Sequence, residues 1–110
     1  MVTKVRADMR SCDRYAIITA DAVEPGTVRI SFDTNCDNVK QYAALLGDTL
    51  TFDDCLDFGH SKVFDPEVLK PLTMTCVIPT AVMNAVYMEF GMMSRSLADK
   101  DQSDGITFIK

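Results

Sequence analysis

The chain predicts an α+β domain in which a three- or four-stranded, mostly antiparallel sheet packs on two main helices. Three observations carry that prediction. Apolar residues alternate through the first third of the sequence, they recur at helical spacing in two later stretches, and turn residues mark the changes of period. With 110 residues the chain has room for one core, so 1–110 reads as a single domain.

The elements follow in order. In "TKVRAD", Val5 and Ala7 face one way and Lys4, Arg6 and Asp8 the other, the pattern of a half-buried strand. "RYAIITADAV" is rich in residues suited to a pleated surface. "EPGT" supplies Pro25 and Gly26 for the centre of a type II turn. "TVRISFD" then alternates cleanly, with Val28, Ile30 and Phe32 on one face, so the two segments form a hairpin. Next, Val39, Ala43, Leu46 and Leu50 fall at helical spacing, with Gly47 as a stop signal. The stretch from Asp48 to Thr75 is irregular except for "DPEVLKP", where Asp65 caps a short helix, Pro66 suits its first turn and Pro71 follows it. From Pro79 onward Val82, Val86, Phe90 and Met93 make an amphipathic stripe. "SLADKDQSDG" reads as a polar connection, and "ITFIK" as a terminal strand with Ile106 and Phe108 on one face.

Composition excludes several classes. Hydrophobic content of 47% with 25% charged residues is that of a globular protein. A net charge of −5 and a pI near 4.6 argue against a nucleic-acid partner, whose phosphates require a basic surface. No apolar run approaches the roughly 20 residues that span a bilayer, so no membrane partner is expected. The start, "MVTKVRADMR", lacks the apolar centre of a signal peptide. The expected compartment is the cytoplasm, where four cysteines stay reduced.

Those cysteines carry the chemistry. Cys12, Cys36, Cys55 and Cys76 are spaced by 24, 19 and 21 residues, and none forms a CxxC pair. Cys36 lies at the start of the first helix, and Cys76 lies three positions before Pro79, at the start of the last. A helix N-terminus carries unpaired N–H groups and partial positive charge, and both favour the thiolate that ligates metals or attacks electrophiles. Cys12, in "RSCDRY", falls in the connection between the first two strands, at the end of the sheet from which Cys36 follows the hairpin. Three sites aimed at one place are what a metal or cluster site requires. Against this, free cysteine often serves as a small buried hydrophobe. That reading leads for Cys55, whose acidic neighbours in "FDDCLDF" raise its pKa. His60, in the loop "FGHSK", offers a fourth ligand. Asp13 and Asp37 adjoin cysteines, and Asp37 reads as a helix cap. Met83, Met88, Met92 and Met93 read as core filler.

At these residues the chain resembles a family of short uncharacterised proteins from anaerobic archaea and bacteria. In that family a Cys-Gly-Phe precedes a strand, a Cys-x-x-Val opens a helix after a hairpin, and a Cys-Pro-Val-Pro opens the last helix before a terminal strand. The corresponding places here read Cys12-Asp13-Arg14, Cys36-Asp37-Asn38-Val39 and Cys76-Val77-Ile78-Pro79. From Ser11 to Met93 the order of cysteines is also similar to that of the U-type iron–sulfur scaffold proteins. Their Cys-Gly-Asp is Cys12-Asp13 here, the glycine after their second cysteine is Asp37, and the histidine before their third is Thr75. The resemblance implies thiolate ligation by Cys12, Cys36 and Cys76 and leaves Cys55 outside the set.

The expected function is therefore that of a small metal- or iron–sulfur-binding protein. Its ligands are Cys12, Cys36 and Cys76, its cofactor an iron–sulfur cluster or zinc, and its partner a protein that donates or accepts the metal. Two alternatives use the same residues. In a thiol-redox protein Cys36 attacks and Cys76 or Cys12 resolves. In a non-catalytic interaction module the cysteines merely pack.

Overall fold

A computed structural model describes residues 2–101 and 103–110. Its sheet is an antiparallel meander in the order β1-β2-β3-β4, formed by β1 (Val2–Met9), β2 (Arg14–Glu24), β3 (Thr27–Thr34) and β4 (Thr49–Thr51). The alternation read from the sequence sets its two faces. Ala7, Met9, Ala16, Ile18, Ala20, Val28 and Ile30 point inward and are buried. The opposite face carries charged and hydroxyl side chains and, over the Tyr15 ring, the Arg6 guanidinium at 4.9 Å. The hairpin turn behaves as expected: Gly26 sits at φ 78°, which the second central residue of a type II turn demands.

Both main helices cover the inner face. α1 (Asp37–Leu46) lies against β3, and α3 (Ile78–Glu89) lies against β1 and β2. Val39, Tyr42 and Leu46 form the buried stripe of α1; Ile78, Val82, Ala85 and Val86 form that of α3. Each large aliphatic side chain fully buried here contributes about 1.5–3 kcal/mol. The short α2 (Pro66–Leu69) is capped by Asp65, whose carboxylate accepts from the Glu67 N–H, as its sequence predicts. Glu89, with its side chain 2% exposed, ties the end of α3 to the sheet. Its carboxylate accepts from the Thr3 hydroxyl (2.8 Å), the Ala22 N–H (2.9 Å) and Arg95 (3.3 Å).

Four sequence expectations need correction. Helix α1 stops at Leu46, so Leu50 belongs to β4, a strand of three residues too short to show a period. The polar connection holds a helix, α4 (Arg95–Asp101), which has no apolar stripe to announce it. The terminal "ITFIK" is not paired with the sheet: Ile106, Phe108 and Ile109 are largely exposed, because alternation confers a preference for strand but not a ladder partner. The four methionines are half-buried or exposed along the edges of α3 and do not fill the core centre.

Candidate functional site

The three thiols singled out by sequence sit on three different elements at one end of the sheet. Cys12 lies in the turn 10–13 between β1 and β2, which Met9 and Arg14 close as a pair. The Cys12 N–H donates to the Met9 carbonyl at 3.1 Å, and its thiol donates to the same oxygen at 3.4 Å. The next residue, Asp13, takes φ 56°, a left-handed conformation that a short polar side chain tolerates better than most. Cys12 is exposed; Cys36 and Cys76 are half-buried.

Cys36 is locked to the strand that leaves the Cys12 turn. Thr34 donates its hydroxyl to the Tyr15 carbonyl at 2.6 Å and accepts from the Cys36 N–H at 3.1 Å. Asn35 accepts from the Tyr15 N–H at 2.9 Å. Both backbone groups of Tyr15, three residues after Cys12, are thus held by the two residues that precede Cys36. Cys36 itself is the N-cap of α1, with extended φ −101° and ψ 119°, and its carbonyl accepts from the Lys40 N–H. Its thiol makes no capping bond. Asp37, expected as the cap, is instead the first helical residue; its carboxylate lies 3.8 Å from Lys40, favourably placed in the positive first turn.

Cys76 precedes α3 by two residues, held by its N–H to the Thr73 carbonyl at 3.1 Å. Its thiol pKa is raised. Burial is the main cause, the Ile78 N–H at the helix start opposes it, and negative charge at Cys36 and at Cys12 adds to the rise. Desolvation therefore outweighs the helix-start effect expected to favour the thiolate. The same observation locates the site, since Cys76 lies close enough to both other thiols to sense their charge. Tyr42 on α1 is held above its ordinary value by burial and, secondarily, by charge at Cys76, so it stands beside the group. An open cleft of about 290 Å³ adjoins this end of the sheet, with Arg6, Arg10, Arg14 and Asn35 in its lining.

The remaining candidates lie elsewhere. Cys55 ends the 3₁₀ turn Phe52–Cys55, is buried, and accepts the Tyr87 hydroxyl on its carbonyl at 2.9 Å. Burial, then the charge of Asp54, pushes its thiol up to about 11. His60 is exposed in the neighbouring loop, with Nδ1 2.8 Å from both oxygens of Asp57; its hydrogen bonds hold the Asp57 carboxyl below the ordinary range. His60 is thus engaged with Asp57 through Nδ1. Among the described residues no group of three or more His, Cys, Asp or Glu side chains is gathered tightly enough to hold a metal ion as it stands. Cys12, Cys36 and Cys76 share a neighbourhood, and a common coordination sphere would require Cys12 to leave the Met9 carbonyl.

Fold and site together define a small α+β protein with three thiols, from three elements, toward one end of an antiparallel meander. The chain belongs to a family of unknown function (DUF6951), whose model matches residues 3–100 and so spans all three thiols. Comparison with curated proteins and with solved structures finds no match. No described helix is long and apolar enough to cross a membrane.

Proposed function

We propose that the protein binds a thiophilic metal, zinc or an iron–sulfur cluster, through Cys12, Cys36 and Cys76, and passes it to or from a partner protein. The observation that carries this reading is that Cys12, Cys36 and Cys76 come from three separate elements, a turn and the approaches to α1 and α3, and that charge at the first two acts on the third. Three thiolates suit soft or borderline metals and leave one position for an exogenous ligand, as a carrier or scaffold needs. The similarity in cysteine order to U-type iron–sulfur scaffolds supports the same choice.

Two further features favour ligation. Burial raises the Cys76 thiol pKa, which disfavours the free thiolate that thiol exchange needs, whereas a metal deprotonates its own ligands. The lining of the adjoining cleft sets Arg6, Arg10 and Arg14 against Asp8 and Asp13, a net positive balance that would offset part of the negative charge of a thiolate-ligated centre. Bound metal would supply the cross-link among turn, α1 and α3; the chain's own contribution is to hold Cys36 beside the strand that follows Cys12 through the Tyr15 clasp. Anaerobic purification followed by elemental analysis and an absorption spectrum tests the reading. About one zinc per chain, or iron and sulfide with a charge-transfer band, is expected. A metal-free protein whose Cys36 cycles through a disulfide with Cys76 or Cys12 would replace it with thiol exchange.

A further inference from the structure

The sheet has an open side at β1. All eight residues of β1 pair with β2, and among the described residues no strand lies on its outer edge. Such an edge offers alternate N–H and C=O groups to any free strand, and natural sheets cover or blunt it. The helix layer provides an apolar flank above. Tyr87 of α3 and Phe90 just after it reach the 3₁₀ turn on the far side, through the Cys55 carbonyl and the Phe52 ring at 5.8 Å. Helical spacing puts Ala81, Ala85 and Met88 on the other flank, toward β1.

The chain carries a segment that fits. Ile106, Phe108 and Ile109 are 74%, 75% and 96% exposed, and no residue of 103–110 makes a hydrogen bond or ion pair. Alternation sets Ile106 and Phe108 on one face, the pattern of a strand with one side to bury. The route is short. Arg95, at the start of α4, donates to the Thr3 hydroxyl of β1 at 2.8 Å, which holds the chain after α3 against that strand. Four residues separate Asp101 from Ile106 and reach up to about 14 Å. Five residues of strand cover about 17 Å, within the roughly 26 Å length of β1.

We propose that Ile106–Lys110 docks along the outer edge of β1 of its own chain as a fifth strand, with Ile106 and Phe108 turned onto the Ala81 and Met88 flank of α3. Strand addition satisfies the ladder groups of β1 and removes the Ile106 and Phe108 side chains from water. The tether favours the chain's own edge over that of a second copy, because a short linker holds the segment at an effective concentration in the millimolar range.

Amide hydrogen exchange followed by NMR tests this on the full chain, on a chain ending at Gly105, and on Phe108→Asp. Those β1 amides that do not bond to β2 should exchange at least about tenfold more slowly in the full chain than in either variant. Unchanged protection in β2 and β3 establishes that the variants remain folded. Equal exchange of the β1 edge amides in all three chains overturns the proposal. So do contacts between Phe108 of one copy and β1 of another in a mixed-isotope sample, since they assign the edge to a second molecule.

Discussion

Cysteines occupy two contrasting regions of this molecule. At one end of the sheet Cys12, Cys36 and Cys76 are exposed or half-buried and come from a turn and two helix starts, and charge at the first two acts on Cys76. Beside the last turns of α3, Cys55 is buried in a 3₁₀ turn, with its carbonyl bonded to Tyr87 and its thiol raised by burial and by Asp54. Each region also has one tyrosine hydroxyl bonded to a backbone carbonyl: Tyr42 to Val63 at 3.0 Å, and Tyr87 to Cys55 at 2.9 Å. The difference teaches that the residue type does not decide the role. Burial and neighbours do, and here they separate a thiol cluster open to chemistry from a thiol that packs.

The largest effect that sharpens the contrast is on stability. Tyr42 is fully buried, meets Phe32 edge-on at a centroid distance of 6.2 Å, and supports the thiol end from below. Tyr42→Ala should lower stability by about 3–5 kcal/mol in urea denaturation, through the lost contacts and the cavity left behind. Tyr42→Phe should cost about 1–2 kcal/mol, because the buried Val63 carbonyl loses its donor. Tyr87→Phe, at a half-buried site, should cost less than Tyr42→Phe; the reverse order would break the comparison.

Reactivity comes next. In the metal-free protein at pH 8, Cys12 should alkylate at least about 100-fold faster than Cys55, since one thiol is exposed and the other is both buried and largely protonated. Mass spectrometry of timed iodoacetamide digests reads the ratio. Comparable rates would show that Cys55 is not sequestered.

A smaller effect follows from pH. The folded pKa of Cys55, about 11, lies above the ordinary value of 9.0 expected in the unfolded chain, so the native state favours the neutral thiol. Its contribution is complete below pH 9 and is lost as pH rises toward 11. Because the thiol borders an open cleft, the loss should be on the order of 1 kcal/mol, less than the full shift implies. The alkaline limb of the stability curve should be correspondingly shallower in Cys55→Ala. Identical slopes for the two proteins would contradict the burial argument.

The smallest effect is at His60. Its pairing with Asp57 is exposed, so His60→Ala should leave both the melting temperature and the metal content unchanged. Loss of metal in that variant would place His60 among the ligands.

Much of the fold was legible because it is locally encoded. Period-two alternation marked β1 and β3, strand-favouring composition marked β2, Pro25 and Gly26 marked the hairpin turn, and Asp65 with Pro66 marked α2. What escaped depends on distant partners. Glu89 reads as an ordinary polar residue at a helix end, yet its carboxylate is bound by Thr3 and Ala22, 86 and 67 residues away. β4 exists only because β3 offers it an edge, and α4 has no apolar stripe to read. For the site, the placement of Cys36 and Cys76 at helix starts was legible. The clasp of Thr34 and Asn35 on Tyr15 was not, because it joins positions about 20 residues apart. Nor was the raised pKa of Cys76, which arises from tertiary burial acting against the helix start.

The central claim is that Cys12, Cys36 and Cys76 form one ligand set from which Cys55 is excluded. Metal content per chain, measured after anaerobic purification of the wild type and the four single Cys→Ser variants, tests it most directly. Each of Cys12→Ser, Cys36→Ser and Cys76→Ser should lose most of the bound metal, because each removes one of three bonds, while Cys55→Ser keeps it. Retention of full metal content by any one of the first three, or its loss from Cys55→Ser, would contradict the account.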